Sequence, residues 1–218
     1  MTLSFAIAET NPTLVDRSIF LSASIPDPKR WEGEADPLEI TDAVVAFARV
    51  FLTAGLRLVS AAHPTIAPLL LYVAAELPSE RSEQVVIYQS QLFEDVLPTA
   101  TRRFEAQGVG RIIWTPAAEG DRPEPGQWDA SLERMRRQML SETMPAAAVF
   151  IGGMRGIPDE LAIFNEVCPG RPAYPLGKPG GEARALALES VSPLREQLLT
   201  GAVYPSLWRT VLNDLQAG

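Results

Sequence analysis

Short apolar segments alternate with amphipathic helical segments along most of this chain, and this alternation is the strongest constraint on its fold. Each apolar segment is about five residues long and bounded by polar residues, which is typical of a buried strand. Between two such segments, Ile40, Val44, Phe47 and Phe51 recur at the spacing that places them on one side of a helix. The predicted strands lie at 18–22, 56–60, 84–88, 111–114 and 147–151, with a short sixth near 173–174.

Buried strands that alternate with helices predict an α/β fold with a parallel sheet covered on both faces. The 218 residues are enough for one large domain or two small ones. Because no internal repeat or linker interrupts the pattern, we expect a single domain over residues 1–218. Its last part, about 194–215, is predicted to be a helical extension that packs on the body of the domain or on a partner subunit.

Composition narrows the classes of function. A net charge of −8, from 27 acidic and 19 basic side chains, disfavours non-specific binding of nucleic acid. With one cysteine (Cys168) and one histidine (His63), the chain lacks the ligands of a structural zinc site, and we expect no metal ion and no cofactor. The first eight residues do not resemble a signal peptide, and the longest apolar segment, about 66–75, is too short to span a membrane. We therefore expect a cytoplasmic protein without a membrane partner.

One segment, 149–160, joins a predicted strand to a helix through a glycine-rich turn. Such a turn exposes backbone N–H groups that can bind a phosphate or another anion. Its spacing is neither that of the dinucleotide-binding fingerprint nor that of a P-loop. The alternative is that the glycines only permit a tight turn before favourable first-turn residues. The candidate ligand-binding residues here are Gly152, Gly153, Met154, Arg155, Gly156 and Glu160. A second pair, Gly180 and Gly181, is a further candidate oxyanion-binding turn.

Polar residues also follow the other predicted strands, at the sheet edge where ligands of such folds bind. Ser22 and Ser24 follow the first strand and can donate to phosphate or ribose oxygens. His63 follows the second strand and can bond a phosphate or a ring nitrogen, and Gln89 follows the third and can contact a base or ribose. Each of these residues also has a purely structural interpretation. The serines can simply form a turn, His63 can cap the next helix, and Gln89 can be exposed to solvent.

Three arginines lie on one turn of the helix after the fourth strand, a helix that Ser131 is predicted to cap. Arg136 is the one closest to the core-facing stripe of that helix. A guanidinium in this place can bind a phosphate in a bidentate manner. The alternative is a solvated basic surface.

Several of these blocks together resemble the SLOG superfamily, which includes the bacterial DNA-processing protein Smf and the lonely-guy cytokinin-activating proteins. The similarity is greatest to the SLOG proteins of bacterial conflict systems. It implies a Rossmann-like three-layer sandwich with a mostly parallel central sheet, which binds nucleotides or NAD-derived signals such as cyclic ADP-ribose variants. The matching blocks are Ile19–Pro26, Ser60–Thr65, Tyr88–Ser90, Met135–Arg136 and Phe150–Ile157.

The enzymatic branch of the superfamily carries the motif Pro-Gly-Gly-x-Gly-Thr-x-x-Glu, in a phosphoribohydrolase that frees a base from its ribose phosphate. This chain has Ile151 and Ile157 in place of the proline and threonine, and one extra residue between the glycines. The matching positions are Gly152, Gly153, Gly156 and Glu160.

Three hypotheses follow. In the first, the protein is a sensor domain of a signalling or defence system: the glycine turn holds a phosphate that Arg136 neutralises, and a nucleotide-like ligand shifts the arrangement of a homo-oligomer. In the second, it is a metal-independent N-glycosidase acting on a nucleoside 5′-monophosphate, with Glu160 and Arg136 as catalytic residues. In the third, it is an interaction protein with a relic pocket.

Overall fold

The computed structural model of the protein describes residues 17–77 and 83–217. All five strand pairings are parallel, in one six-stranded sheet with the order β4-β3-β2-β1-β5-β6. The predicted α/β sandwich with a parallel sheet is confirmed, and several strands extend beyond their predicted ends. The strands are β1 (Ser18–Ser24), β2 (Arg57–Ala61), β3 (Val85–Ser90), β4 (Arg111–Thr115), β5 (Ala147–Gly152) and β6 (Ala173–Leu176).

Helices connect the strands and cover both faces of the sheet. They are α1 (Pro37–Thr53), α2 (Ala67–Glu76), α3 (Thr99–Ala106), α4 (Asp129–Thr143), α5 (Gly156–Val167), α6 (Glu182–Glu189), α7 (Arg195–Thr200) and α8 (Tyr204–Ala217), with a 3₁₀ helix at Gln91–Val96. Within the described ranges, no helix combines the length and the apolar character needed to cross a membrane.

The sheet separates two apolar cores. Because side chains alternate along a strand, Ile19 and Leu21 of β1 enter one core while Phe20 enters the other. The first core lies under α1, α2, α3 and α8, and we call this side the α1 face. The second lies under α4, α5 and α6, where Phe164 stacks on Phe20, and we call it the α4 face.

The C-terminal helix α8 packs on α1. The indole N–H of Trp208 donates to the carbonyl oxygen of Ala43 at 2.9 Å. Its ring lies 5.5 Å from that of Phe47 and 6.4 Å from that of Phe51, measured between centroids. Residues 204–217 therefore contribute to the same core as the sheet and α1.

The start of α4 differs from the prediction. The helix begins at Asp129, so Ser131 lies inside its first turn and is not the cap. The backbone N–H of Ser131 donates instead to a carboxylate oxygen of Asp121 at 2.6 Å, and its hydroxyl accepts from the N–H of Ala118 at 2.9 Å. A side chain of the preceding loop thus satisfies a free amide of the helix, which a local cap would otherwise do.

Candidate functional site

The strand order places the candidate site in the middle of the sheet. From β1 to β4 the chain adds strands on one side of β1, and β5 and β6 are then added on its other side. The carboxyl ends of β1 and β5 therefore form the switch point, where open α/β sheets bind their ligands. In this pair, Ser24 lies opposite Gly152, so the end of β1 adjoins the glycine turn.

The glycine turn (Gly152–Gly156) requires glycine for two reasons. Gly152 and Gly153 have φ angles of 63° and 80°, in the left-handed region that other residues rarely adopt. The turn also closes against β1, because the N–H of Gly153 donates to the carbonyl oxygen of Ser24 at 2.8 Å. A Cβ atom at position 152 would lie 2.6 Å from that same oxygen.

Three backbone amides of this turn are unpaired. The N–H groups of Met154, Arg155 and Gly156 donate to no acceptor in the part of the chain that the structure describes. They stand at the N-terminus of α5, where the helix dipole favours negative charge. This is the arrangement that an anion-binding turn requires.

The second glycine pair has a different role from the one predicted. Both of its amides are already paired: the N–H of Gly180 donates to the carbonyl oxygen of Gly177 at 3.2 Å, and the N–H of Gly181 donates to that of Glu34 at 3.0 Å. The next amide, that of Glu182, donates to the carbonyl oxygen of Gly153 at 3.1 Å. A Cβ atom on Gly181 would overlap the backbone of Gly152. The pair therefore brings the loop after β6 against the glycine turn and does not present amides to an oxyanion.

Arg136 and Glu160 form a partly buried ion pair beside the free amides. The Nη2 and Nε atoms of Arg136 lie 2.8 Å and 3.0 Å from the same carboxylate oxygen of Glu160. The two side chains are 13% and 15% exposed, so the pair is shielded but reachable. A Cβ atom on Gly156 would lie 2.9 Å from Nη2 of Arg136, which shows how closely the guanidinium covers the first residue of α5.

The other predicted residues divide into two groups. Ser22 and Ser24 are buried on the same side of β1 as Phe20, which is also the side of Arg136. Gln89 is buried on β3, and its position alternates with that of Tyr88, whose side chain lies in the core of the α4 face. Gln89 therefore belongs to the α1 face, and the structure does not bring it together with the ion pair.

His63 lies in the loop after β2, near Arg30. Its Nδ1 is 3.0 Å from the hydroxyl oxygen of Thr65. Burial, and secondly the charge of Arg30, lower the pKa of His63 to about 4. The imidazole is therefore neutral at pH 7, where it can form a hydrogen bond but cannot neutralise a phosphate.

The loop between β1 and α1 contributes charged and aromatic side chains that the sequence did not indicate as candidates. The guanidinium of Arg30 lies 5.8 Å from the centroid of the Trp128 ring, and the indole N–H of Trp31 donates to Glu182 at 2.8 Å. Arg30, Trp31 and Glu182 border a cleft of about 490 Å³ that reaches Arg155 of the glycine turn. The run Lys29-Arg30-Trp31 just beyond the first strand is the available sequence feature, but charged and aromatic residues in a loop rich in proline do not by themselves indicate a site.

A larger cavity, of about 930 Å³, lies at the opposite edge of the sheet, beside the amino ends of the strands. Several of its polar groups bind other parts of the protein. The hydroxyl of Tyr174 donates to Asp214 at 2.7 Å, and Arg171 donates to the carbonyl oxygens of Met144 and Pro145. These bonds tie the lining of the cavity to the rest of the protein.

Residues 30–212 match the model of the SLOG cluster3 family. The chain belongs to this family. The resemblance inferred from the motif blocks is thereby confirmed. Among solved structures, the SLOG cluster3 chain is similar to the X-ray structure of TM1055, with a TM-score of 0.55 and 12% identity over 91% of this chain and 99% of that one. That likeness shows the fold. A comparison with curated proteins finds no match.

The SLOG site combines three chemical features at the end of β5. Free amides and a helix dipole attract an anion, Arg136 supplies a positive charge, and Glu160 supplies a carboxylate one turn into α5. Membership of the family supports a function related to nucleotides.

Proposed function

We propose that this protein is a cytoplasmic sensor domain that binds a nucleotide or an NAD-derived small molecule at the switch point between β1 and β5. The observation that carries the proposal is the group of three unpaired amides, at residues 154–156, beside the guanidinium of Arg136. A phosphate is the ligand group that matches both the amides and the charge.

The ion pair has a specific role in this proposal. In the absence of ligand, Glu160 holds Arg136 over the first turn of α5 and keeps its charge from being left unpaired. Before a ligand binds, the carboxylate of Glu160 sets the orientation of the guanidinium. A bound phosphate then replaces Glu160 as the acceptor of the guanidinium N–H groups. The hydroxyls of Ser22 and Ser24, on the same side of the sheet, contact the sugar. His63 offers a neutral hydrogen-bonding group to the base, and Gln89 has no part in the site.

Thermal-shift measurements with nucleoside monophosphates, NAD and cyclic ADP-ribose isomers test the binding. A ligand that binds only the folded state raises its apparent stability in proportion to the logarithm of ligand concentration over Kd. No shift with any of them would overturn the proposal and favour the third hypothesis, an interaction protein with a relic pocket.

Calorimetry on two variants then tests the assigned site. Arg136→Gln is expected to weaken binding about ten-fold or more, because a hydrogen bond to a charged group contributes about 1.5–3 kcal/mol. Arg137→Gln is the matched control, since Arg137 lies on the same helix but pairs with Glu133 and Glu166 at the surface. Full affinity in Arg136→Gln, or an equal loss in the control, would contradict the assignment.

One observation favours a second function, that of a phosphoribohydrolase: Glu160, one turn into α5, lies beside Arg136. In this reaction the bond between C1′ and the base nitrogen breaks, water adds to C1′, and the products are the free base and ribose 5-phosphate. Glu160 would stabilise the positive charge at C1′ or accept the proton of the water. Chromatography of AMP incubated with the wild type and with Glu160→Gln tests this. Release by the wild type alone establishes hydrolysis, and no release by either leaves the binding function.

The sensor proposal also includes a homo-oligomer whose arrangement changes with the ligand. Light scattering coupled to gel filtration, with and without the ligand found by thermal shift, measures this directly. A monomer in both states would remove this part of the proposal and leave ligand binding untouched.

A further inference from the structure

We propose that the cleft next to the glycine turn is a second anion subsite, so that the ligand of this protein carries two linked phosphates. The cleft is lined by Lys29, Arg30 and Trp31 from the loop after β1, by Arg155 from the glycine turn and by Glu182 from α6. We call it the cationic cleft. The inference rests on the proposed function for the first phosphate, and it adds the chemical class of the ligand.

The three cations of the cleft have no carboxylate partners. Lys29, Arg30 and Arg155 form no ion pair with any residue in the described ranges, 17–77 and 83–217. Of the carboxylates that line the cleft, Glu182 accepts the indole N–H of Trp31 and Glu32 is exposed. Like charges that share a cleft repel one another, and a bound anion removes that repulsion. In a protein of net charge −8, the cleft is therefore a local site for a negative group.

The loop that carries two of these cations is held in place before a ligand binds. The carboxylate of Asp27 accepts the N–H of Lys29 at 2.9 Å, and its carbonyl oxygen accepts the N–H groups of Arg30 and Trp31 at 2.9 Å and 3.0 Å. Gly33 leaves room for the Trp31 ring, which a Cβ atom at that position would overlap. A preformed loop loses little conformational entropy on binding.

Arg30 keeps its hydrogen-bond donors available. Its guanidinium carbon lies 5.8 Å from the centroid of the Trp128 ring, which meets the ring of Phe93 edge-on at 5.4 Å between centroids. Among the described residues, no carbonyl or carboxylate oxygen accepts from the Arg30 side chain, so its N–H groups are free. Those groups match the oxygens of a phosphate in a bidentate manner.

The cationic cleft is continuous with the glycine turn. Arg155 lines the cleft, while its own backbone amide is one of the three free amides of the turn. The N–H of Glu182 donates to the carbonyl oxygen of Gly153, which brings the far wall of the cleft against the same turn. Because one residue belongs to both subsites, two phosphates joined by a bridging oxygen fit better than two phosphates on separate parts of a ligand.

Calorimetry with two pairs of probes tests the subsite, in a buffer free of divalent cations and at constant ionic strength. AMP and ADP share the base, the sugar and the first phosphate, so they differ only in the second phosphate. Inorganic phosphate and pyrophosphate give the same comparison without the base and the sugar. The wild type is expected to bind ADP about ten-fold more tightly than AMP, and pyrophosphate more tightly than phosphate. The double variant Lys29→Gln with Arg30→Gln should lose both preferences and keep its affinity for AMP.

The matched control is Arg102→Gln with Arg103→Gln, which removes the same charge from two exposed, adjacent positions of α3. This control should keep both preferences. Equal affinities for AMP and ADP in the wild type would overturn the second subsite and leave the proposed function standing. A preference for ADP that survives in the cleft variant, or that disappears equally in the control, would have the same consequence. If the wild type binds none of the four probes, the second subsite is overturned, and the thermal-shift measurements with NAD and cyclic ADP-ribose isomers decide the proposed function separately. Binding of pyrophosphate that depends on the cleft, without binding of AMP, would support the subsite and count against the nucleotide pocket.

Discussion

At the scale of single residues, Gly152 controls the geometry of the candidate site. Its φ of 63° suits glycine, and its Cα hydrogen faces the carbonyl oxygen of Ser24. The same oxygen accepts a hydrogen bond from the N–H of Gly153. A side chain here would push β5 away from β1 at the point where the turn begins. The free amides of the turn depend on this close approach.

Gly152→Ala is expected to lower the free energy of unfolding by about 2–4 kcal/mol, because it combines left-handed backbone strain with a clash against backbone. Gly120→Ala is the matched control: its φ is 86°, and a Cβ atom there meets no atom within 4 Å. That control should lose only about 1–2 kcal/mol. Urea unfolding monitored by circular dichroism measures both, and equal losses would show that the contact with Ser24 does not matter.

His63 predicts a pH dependence of stability. Its pKa is about 4 in the folded protein and 6.5 without perturbation, so between these values the unfolded state binds the proton and the folded state does not. Stability from this group is therefore complete above pH 6.5 and falls by about 2–3 kcal/mol as the pH decreases to 4. His63→Asn should remove this part of the pH dependence. Urea unfolding at several pH values compares the two proteins, and parallel curves would contradict the lowered pKa.

The sequence could place His63 after β2, but its pKa could not be predicted. The shift depends on burial and on Arg30, which belongs to a loop more than thirty residues earlier in the chain. The SLOG motif indicated Glu160, and the position next to the core-facing stripe indicated Arg136; their roles stay predictions. Their direct ion pair was not predicted, since nothing local indicates how two helices pack.

At the scale of elements, local chemistry predicted the helices better than their ends. The sequence from Phe93 to Gln107 predicts a helix that can start again after Pro98, whereas the structure has a 3₁₀ helix and then α3 from Thr99. Leu97 is extended because the residue before a proline avoids helical conformation. Ser131 failed as a cap because Asp121, in a loop ten positions earlier, already satisfies its amide. The effect of a neighbouring proline on a helix end could be predicted from the sequence, whereas a cap supplied by a distant loop could not.

Helix α8 is expected to be an essential part of the core. Trp208→Ala should lower the free energy of unfolding by about 3–5 kcal/mol, because it removes a fully buried ring from between Phe47 and Phe51. Val203→Ala, at an exposed position just before the helix, should change it by less than about 0.5 kcal/mol. Thermal or urea unfolding tests the pair. A small effect of Trp208→Ala would mean that α8 docks only weakly on α1.

At the scale of the whole molecule, strand and helix alternation was enough to predict a parallel sheet covered on both faces. It was not enough to predict the strand order. After β4 the chain returns across the sheet to place β5 beside β1, and this pairing joins residues about 130 positions apart, such as Ile19 and Ala147. The candidate site lies at that long-range junction, so the sequence could indicate candidate residues but not which of them meet.

The shared sheet also predicts that both cores unfold together. Phe47 is fully buried in the core of the α1 face and Phe164 in that of the α4 face, yet alternate residues of the same strands support both. Phe47→Leu and Phe164→Leu should therefore each move a single urea transition to lower concentration, by about 1–2 kcal/mol in unfolding free energy, with the slope unchanged. Circular dichroism and tryptophan fluorescence should report coincident curves. Two transitions, each sensitive to only one of the substitutions, would show instead that the faces of the sheet unfold separately and that the chain is not one cooperative domain.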